Sequence, residues 1–147
     1  MTASVRVRGD VRSSKVVHVA LWVVQILLGA LFVAVGTMKA TQPIALLVET
    51  FGWPAAVPAA LVRFIGIAEF LGGLGLILPA ATRVQPMLTP LAGVGLALAM
   101  LLAAGFHTSR GEFGALPMPL VLGGLAAFVV WGRAVKAPIA PRSPQYL

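Results

Sequence analysis

Residues 16–38 read VVHVALWVVQILLGALFVAVGTM, an unbroken apolar run without one Asp, Glu, Lys or Arg. A helix needs about 20 such residues to cross the hydrocarbon core of a bilayer. Basic residues precede the run and Ala34-Val35-Gly36 resembles a cleavage site, so a secretory signal is the competing reading. The run exceeds the roughly 7–15 apolar residues of a signal peptide, and three more apolar runs follow it. It reads as an uncleaved first span.

The second span is expected over about 59–78. Pro58 suits the first turn, where a missing N–H costs little, and Pro79 is expected to stop the helix. The third covers about 88–106 and the fourth about 116–131, shortened by Pro117 and Pro119. Trp22, Trp53 and Trp131 fall near span ends, as amphipathic indoles do. The fold class is therefore all-α: a four-transmembrane-helix bundle with up-down topology. Between the first two spans, residues 43–51 are too short to cross and read as a short interfacial helix or lid, after which Gly52-Trp53-Pro54 turns the chain back.

Composition agrees. Of 147 residues, 59% are hydrophobic and only 10% charged, against about a quarter charged in a soluble domain. The net charge of +7 raises the question of nucleic acid. Its distribution answers it, because the basic residues flank apolar runs instead of forming a phosphate-binding stripe. There is no cysteine, which excludes thiolate metal sites and disulfide chemistry.

Eight basic residues (Arg6, Arg8, Arg12, Lys15, Arg83, Arg133, Lys136 and Arg142) fall on one side of this topology, and Lys39 and Arg110 on the other. That asymmetry places both termini in the cytoplasm. Residues 1–15 then form a basic tail, 16–131 the membrane domain, and 132–147 a second cytoplasmic tail.

Apolar periodicity cannot orient helices that are apolar all round, so small and polar residues must do so. Gln25, Gly29, Phe32, Gly36 and Lys39 share one face of the first span. Gly66, Glu69, Gly72, Gly73 and Leu76 share one face of the second. The third offers Met100, Ala103, Ala104 and His107, and the fourth Gly123, Gly124 and Ala127.

Glu69 is the most informative residue. A central acidic side chain facing lipid costs roughly 2.5–3.5 kcal/mol, so Glu69 should face the bundle interior. It reads either as a ligand or proton-exchange group or as an interhelical hydrogen-bond partner of Gln25. Arg63 lies six residues away, on a different face, which argues against a local salt bridge between them. Arg63 either reaches the outer end of the bundle beside Lys39, Glu49 and His107 or snorkels to the interface. His107 reads equally as a cap or a proton-transfer group. His18 opens the first span at the opposite face, so no haem joins the two.

Residues 63–79 (RFIGIAEFLGGLGLILP), followed by Thr82-Arg83, resemble the Gly-x-x-Glu helix of the DoxX-like family of small bacterial membrane proteins. Gly36-Thr37-Met38-Lys39 resembles that family's Gly-x-x-Lys, and a third span ending in His107 is compatible with it. The resemblance implies a multi-pass protein of the bacterial cytoplasmic (inner) membrane, in some members a subunit linked to quinone-dependent oxidation of sulfur compounds. Three readings stand: a quinone- or redox-associated subunit of a membrane oxidoreductase, a proton-coupled exporter of lipophilic cations, and a noncatalytic scaffold. Glu69, Arg63, Gln25, His107 and Lys39 are the candidate ligand-binding or proton-exchange residues, with no metal. The expected partners are membrane lipid, a quinone or another lipophilic small molecule, and a protein subunit or a second copy.

Overall fold

The computed structural model describes the backbone of residues 3–142 and the side chains of residues 15–142. Arg6, Arg8 and Arg12 of the expected basic tail fall outside the described side chains. Among the described residues five α-helices follow one another: α1 (Ala3–Thr41), α2 (Ile44–Phe51), α3 (Ala59–Thr82), α4 (Leu88–Ser109) and α5 (Pro117–Trp131). Short 3-10 turns at Trp53–Ala56 and Phe113–Ala115 lead into α3 and α5, and a π-helical turn at Gly132–Lys136 continues α5.

Among the described residues four segments are long and apolar enough to cross a membrane: Lys15–Thr41, Ala59–Thr82, Leu88–Ser109 and Phe113–Lys136. Their outward faces are what lipid requires. Leu27, Phe64, Leu71 and Leu101 are each more than half exposed, whereas soluble monomers rarely display continuous apolar surface on this scale. α1 packs along α3, α3 against α4 and α4 against α5, and α5 returns to touch α1. The core where they meet is built from Leu28, Phe32, Leu76, Leu96, Met100, Ala126 and Val129.

Two expectations about these helices are corrected. Pro79 does not end the second span, and α3 runs through it to Thr82. A proline removes a single N–H, here the one that would bond the Gly75 carbonyl, and membrane bundles accommodate such a loss. The inward face of α5 carries Ala126 and Val129, while Gly124 and Ala127 are exposed. α5 packs chiefly on α4 and leaves most of its girth to lipid, so its small residues do not all mark a helix contact.

The closest packing is between α1 and α3. A Cβ added at Gly36 would lie 2.5 Å from the Phe70 backbone nitrogen and 2.6 Å from the Gly66 carbonyl oxygen. One at Gly73 would lie 2.7 Å from the Gly29 carbonyl oxygen. The pairs Gly36/Gly66 and Gly29/Gly73 sit about two helical turns apart. They let the two backbones touch, as small-residue seams do in membrane bundles, and they fix the register that brings the polar residues of the two helices level.

Candidate functional site

Lys39 is the third residue from the C-terminal end of α1, and Glu69 is midway along α3. Side chains lean toward the N-terminus of their own helix. On antiparallel helices Lys39 therefore leans into the bundle while Glu69 leans out to meet it. The Lys39 ammonium lies 2.8 Å from Oε1 and 2.7 Å from Oε2 of Glu69, and donates to both. Both residues are buried, Lys39 being 8% and Glu69 2% exposed. Gly66 allows this contact, because a Cβ there would lie 2.7 Å from Lys39 Cβ.

Arg63 completes the group through the backbone. Its Nη1 donates to the Lys39 carbonyl oxygen at 2.7 Å. The helical partner of that carbonyl would be the N–H of residue 43, but residue 43 is proline and has none. The guanidinium supplies the missing donor, and its positive charge also suits the C-terminal end of α1. Arg63 and Glu69 thus join one assembly through Lys39, with no direct bond between them.

The 44–56 segment roofs the pair. Leu47 and Pro54 are buried, which ties α2 and the following turn to the bundle as the expected cover. The Lys39 ammonium is 5.7 Å from the Phe51 ring centroid and 5.4 Å from that of Trp53, within the range of cation–π attraction. Trp53 in turn meets Phe106 edge to face at 6.4 Å. Glu49 is exposed on α2.

His107 stands apart from the pair. Its Nδ1 is 2.7 Å from Glu112 Oε2, and Arg110 Nε donates to Glu112 Oε1 at 2.6 Å. These contacts tie down the turn between α4 and α5. The hydrogen bond from His107, then that from Arg110, holds the Glu112 carboxyl below its ordinary pKa. A carboxyl with a lowered folded pKa stabilises the fold above its unfolded titration and loses that contribution as pH falls through the folded value. Protection factors in the 110–113 turn, that is exchange rates relative to those of an unstructured chain at the same pH, should therefore fall on acidification through the carboxylate range in wild type. In Glu112→Gln they should already be low and should not change further over that range; a wild-type turn equally protected at both extremes would contradict this.

Gln25 is not the partner of Glu69. It is fully buried toward the opposite end of the bundle, where its Nε2 donates to the Leu76 carbonyl at 2.6 Å and its Oε1 accepts from Arg133 Nε at 2.5 Å. Arg133, expected as a tail charge, is 3% exposed. The π-helical turn turns it back under the bundle. The sequence reading missed this residue. His18, Trp22 and Gln25, spaced four and three apart on one face of α1, were the available signal that a polar group ends there.

A model of the DoxX-like family matches residues 23–129, nearly the whole bundle. The chain belongs to that family. No curated protein and no solved structure matches it. The match takes in Gln25, Lys39, Arg63, Glu69 and His107 of this DoxX-like protein, and ends before Arg133. With four spanning helices it identifies an integral membrane protein.

Proposed function

We propose that the chain is a redox-associated subunit of the bacterial cytoplasmic membrane, and that the Lys39–Glu69 pair receives the polar head of a quinone or a similar lipophilic molecule. The observation that carries this is a buried ion pair under an aromatic roof. Breaking even with well-packed apolar residues is the usual fate of a buried pair, so stability alone gives little reason to keep one inside an apolar bundle. The donor set suits a carbonyl-bearing ring. Lys39 has three N–H groups, two of which meet Glu69, leaving one for an acceptor. Phe51 and Trp53 offer flat faces for stacking and shut out water. Glu69 is positioned to take or return a proton through Lys39. A bound quinone would supply two-electron, two-proton chemistry, with the electrons coming from a partner protein, since this chain holds no thiol and shows no flavin motif.

The same geometry disfavours the cation exporter. Both Glu69 oxygens are already engaged by Lys39, so an entering cation must displace an ammonium held within the protein. The scaffold reading keeps an observation of its own, the close glycine seam between α1 and α3.

Tryptophan fluorescence tests the quinone reading. A short-chain benzoquinone titrated into the full chain in lipid nanodiscs should quench emission saturably. Glu69→Gln, which removes the charge that holds the Lys39 ammonium in place, and Trp53→Phe, which trims the aromatic roof, should each weaken apparent affinity by up to roughly tenfold, a loss on the order of 1 kcal/mol. Quenching that never saturates, or that saturates identically in both variants, would refute the assignment.

The proposed orientation rests on the eight-to-two basic asymmetry. Reporter fusions after Lys136 and within residues 110–114 should report the cytoplasm and the opposite compartment respectively. An external reporter after Lys136 would reverse the topology.

A further inference from the structure

At the Arg133 end of the bundle, hydrogen-bond donors outnumber acceptors. Arg133 brings five N–H groups and no acceptor. Its Nε is taken by Gln25 and its Nη1 by the Ala137 carbonyl at 3.2 Å, while Nη2 is buried without a partner among the described residues. Nη1 also lies 3.2 Å from His18 Nδ1, and Trp22 Nε1 donates to His18 Nε2 at 3.1 Å. A neutral imidazole has one acceptor nitrogen and one N–H. His18 can thus satisfy Trp22 or Arg133 but not both, and its own N–H then points at a donor. The Gln25 amide nitrogen is already spent on Leu76. What is missing is an acceptor with several oxygens.

Beside this group lies a groove of about 510 Å³ lined by Lys15, His18, Val19, Lys136, Ala137 and Pro138. It shares His18 and Ala137 with the hydrogen bonds of Arg133. Of the four Asp and Glu side chains, Glu49 and Glu112 lie at the opposite end of the bundle, Glu69 near its middle has both oxygens engaged by Lys39, and the Asp10 side chain is outside the described residues. Lys15 is exposed, and Lys136 is exposed with its ammonium 5.6 Å from the Trp131 ring centroid. Lys15 begins one membrane segment and Lys136 ends another, so the groove sits at the level of lipid headgroups.

We propose that the groove and the Arg133 cluster bind a phosphate oxyanion, brought there as the phosphodiester headgroup of an anionic phospholipid. Phosphate oxygens would accept from Arg133 Nη2 and from the donor that His18 cannot serve, with Lys15 and Lys136 closing over the charge. Arginine recognises phosphate through its planar fork, and basic pockets between membrane helices are a recurrent way to hold anionic headgroups. The inference is independent of the Lys39–Glu69 site.

Native mass spectrometry on the full chain, released from micelles containing equal phosphatidylglycerol and phosphatidylcholine, tests it. One phosphatidylglycerol should be retained in preference to phosphatidylcholine. The surface double variant K15Q/K136Q, which leaves the buried network intact, should lower its apparent affinity roughly tenfold or more, given the strength of basic side chains at anionic lipid surfaces. Arg133→Lys, which keeps charge but loses the fork, should also weaken it if that variant folds. Inorganic phosphate separates the sources of the anion. No displacement at millimolar concentrations supports a lipid headgroup. Displacement one for one keeps the oxyanion site but makes free phosphate its ligand. Equal retention of both lipids, or an unchanged preference in K15Q/K136Q, would overturn the proposal.

Discussion

Lys39→Met should destabilise the bundle by about 3–5 kcal/mol, the cost of leaving one charge of a buried pair uncompensated. Its target is the ammonium that donates to both oxygens of Glu69. Glu69→Leu should be as damaging, because it strands the ammonium in the same place. Combining the two should return most of the lost stability, since an apolar pair of similar volume removes both desolvation penalties together. Unfolding in mixed micelles, followed by circular dichroism, closes the double-mutant cycle. Additive losses, with the double variant worse than either single one, would show that the two side chains do not depend on each other.

The double variant also separates function from scaffolding. In it the bundle should stand while the saturable quinone response disappears, if the pair exists to receive a ligand. A scaffold whose polar groups only lock helix packing would show no such response in any variant, and stability would be its whole phenotype. Glu69→Gln adds the finer distinction. It keeps shape and hydrogen-bonding capacity but cannot exchange a proton, so a fully active Gln variant would remove Glu69 from any proton-transfer role.

The sequence made the spans legible because length and absence of charge are enough to mark them. It also gave the inward faces of α1 and α3. Gln25, Gly29, Phe32, Gly36 and Lys39 are all buried, as are Gly66, Glu69, Gly73 and Leu76. On those helices the glycines and the long polar side chains within the span turn away from lipid, while Thr37 stays exposed because its hydroxyl is satisfied by the Val33 carbonyl. The same logic failed on α5, where Gly124 and Ala127 are exposed, because a small residue is also acceptable to lipid. The Lys39–Glu69 pairing was hidden because it depends on the register between two helices. Lys39 read as a span-end residue, and the inward lean that carries its ammonium to Glu69 appears only once α1 and α3 are known to be antiparallel neighbours. Arg133 was hidden by a different cause. Arg133, Lys136 and Arg142 look alike as a basic tail, and only the π-helical turn singles out the first of them for burial.

Register gives the last expectation. Gly36→Val should cost about 3 kcal/mol, at the upper end of what overpacking exacts, because nothing in its way can yield. The atoms that a Cβ at Gly36 would strike are the Phe70 nitrogen and the Gly66 carbonyl, at 2.5 and 2.6 Å. Both belong to helix backbone, so α3 must move as a body. Lys39 follows Gly36 by one turn, and its bonds to Glu69 at 2.8 and 2.7 Å have little slack to absorb the shift. The variant should therefore combine a loss of stability with a loss of quinone response, although it removes neither member of the pair. Gly95→Ala and Gly105→Ala provide the controls. They lie in the helix α4 with nothing within 4 Å of an added Cβ, and alanine there should stabilise by roughly 0.5–1 kcal/mol through helix propensity alone. Opposite signs at Gly36 and at Gly95 would attribute the effect to the α1–α3 seam. A Gly36→Val protein as stable as wild type, with its ligand response intact, would mean that the two helices do not meet there.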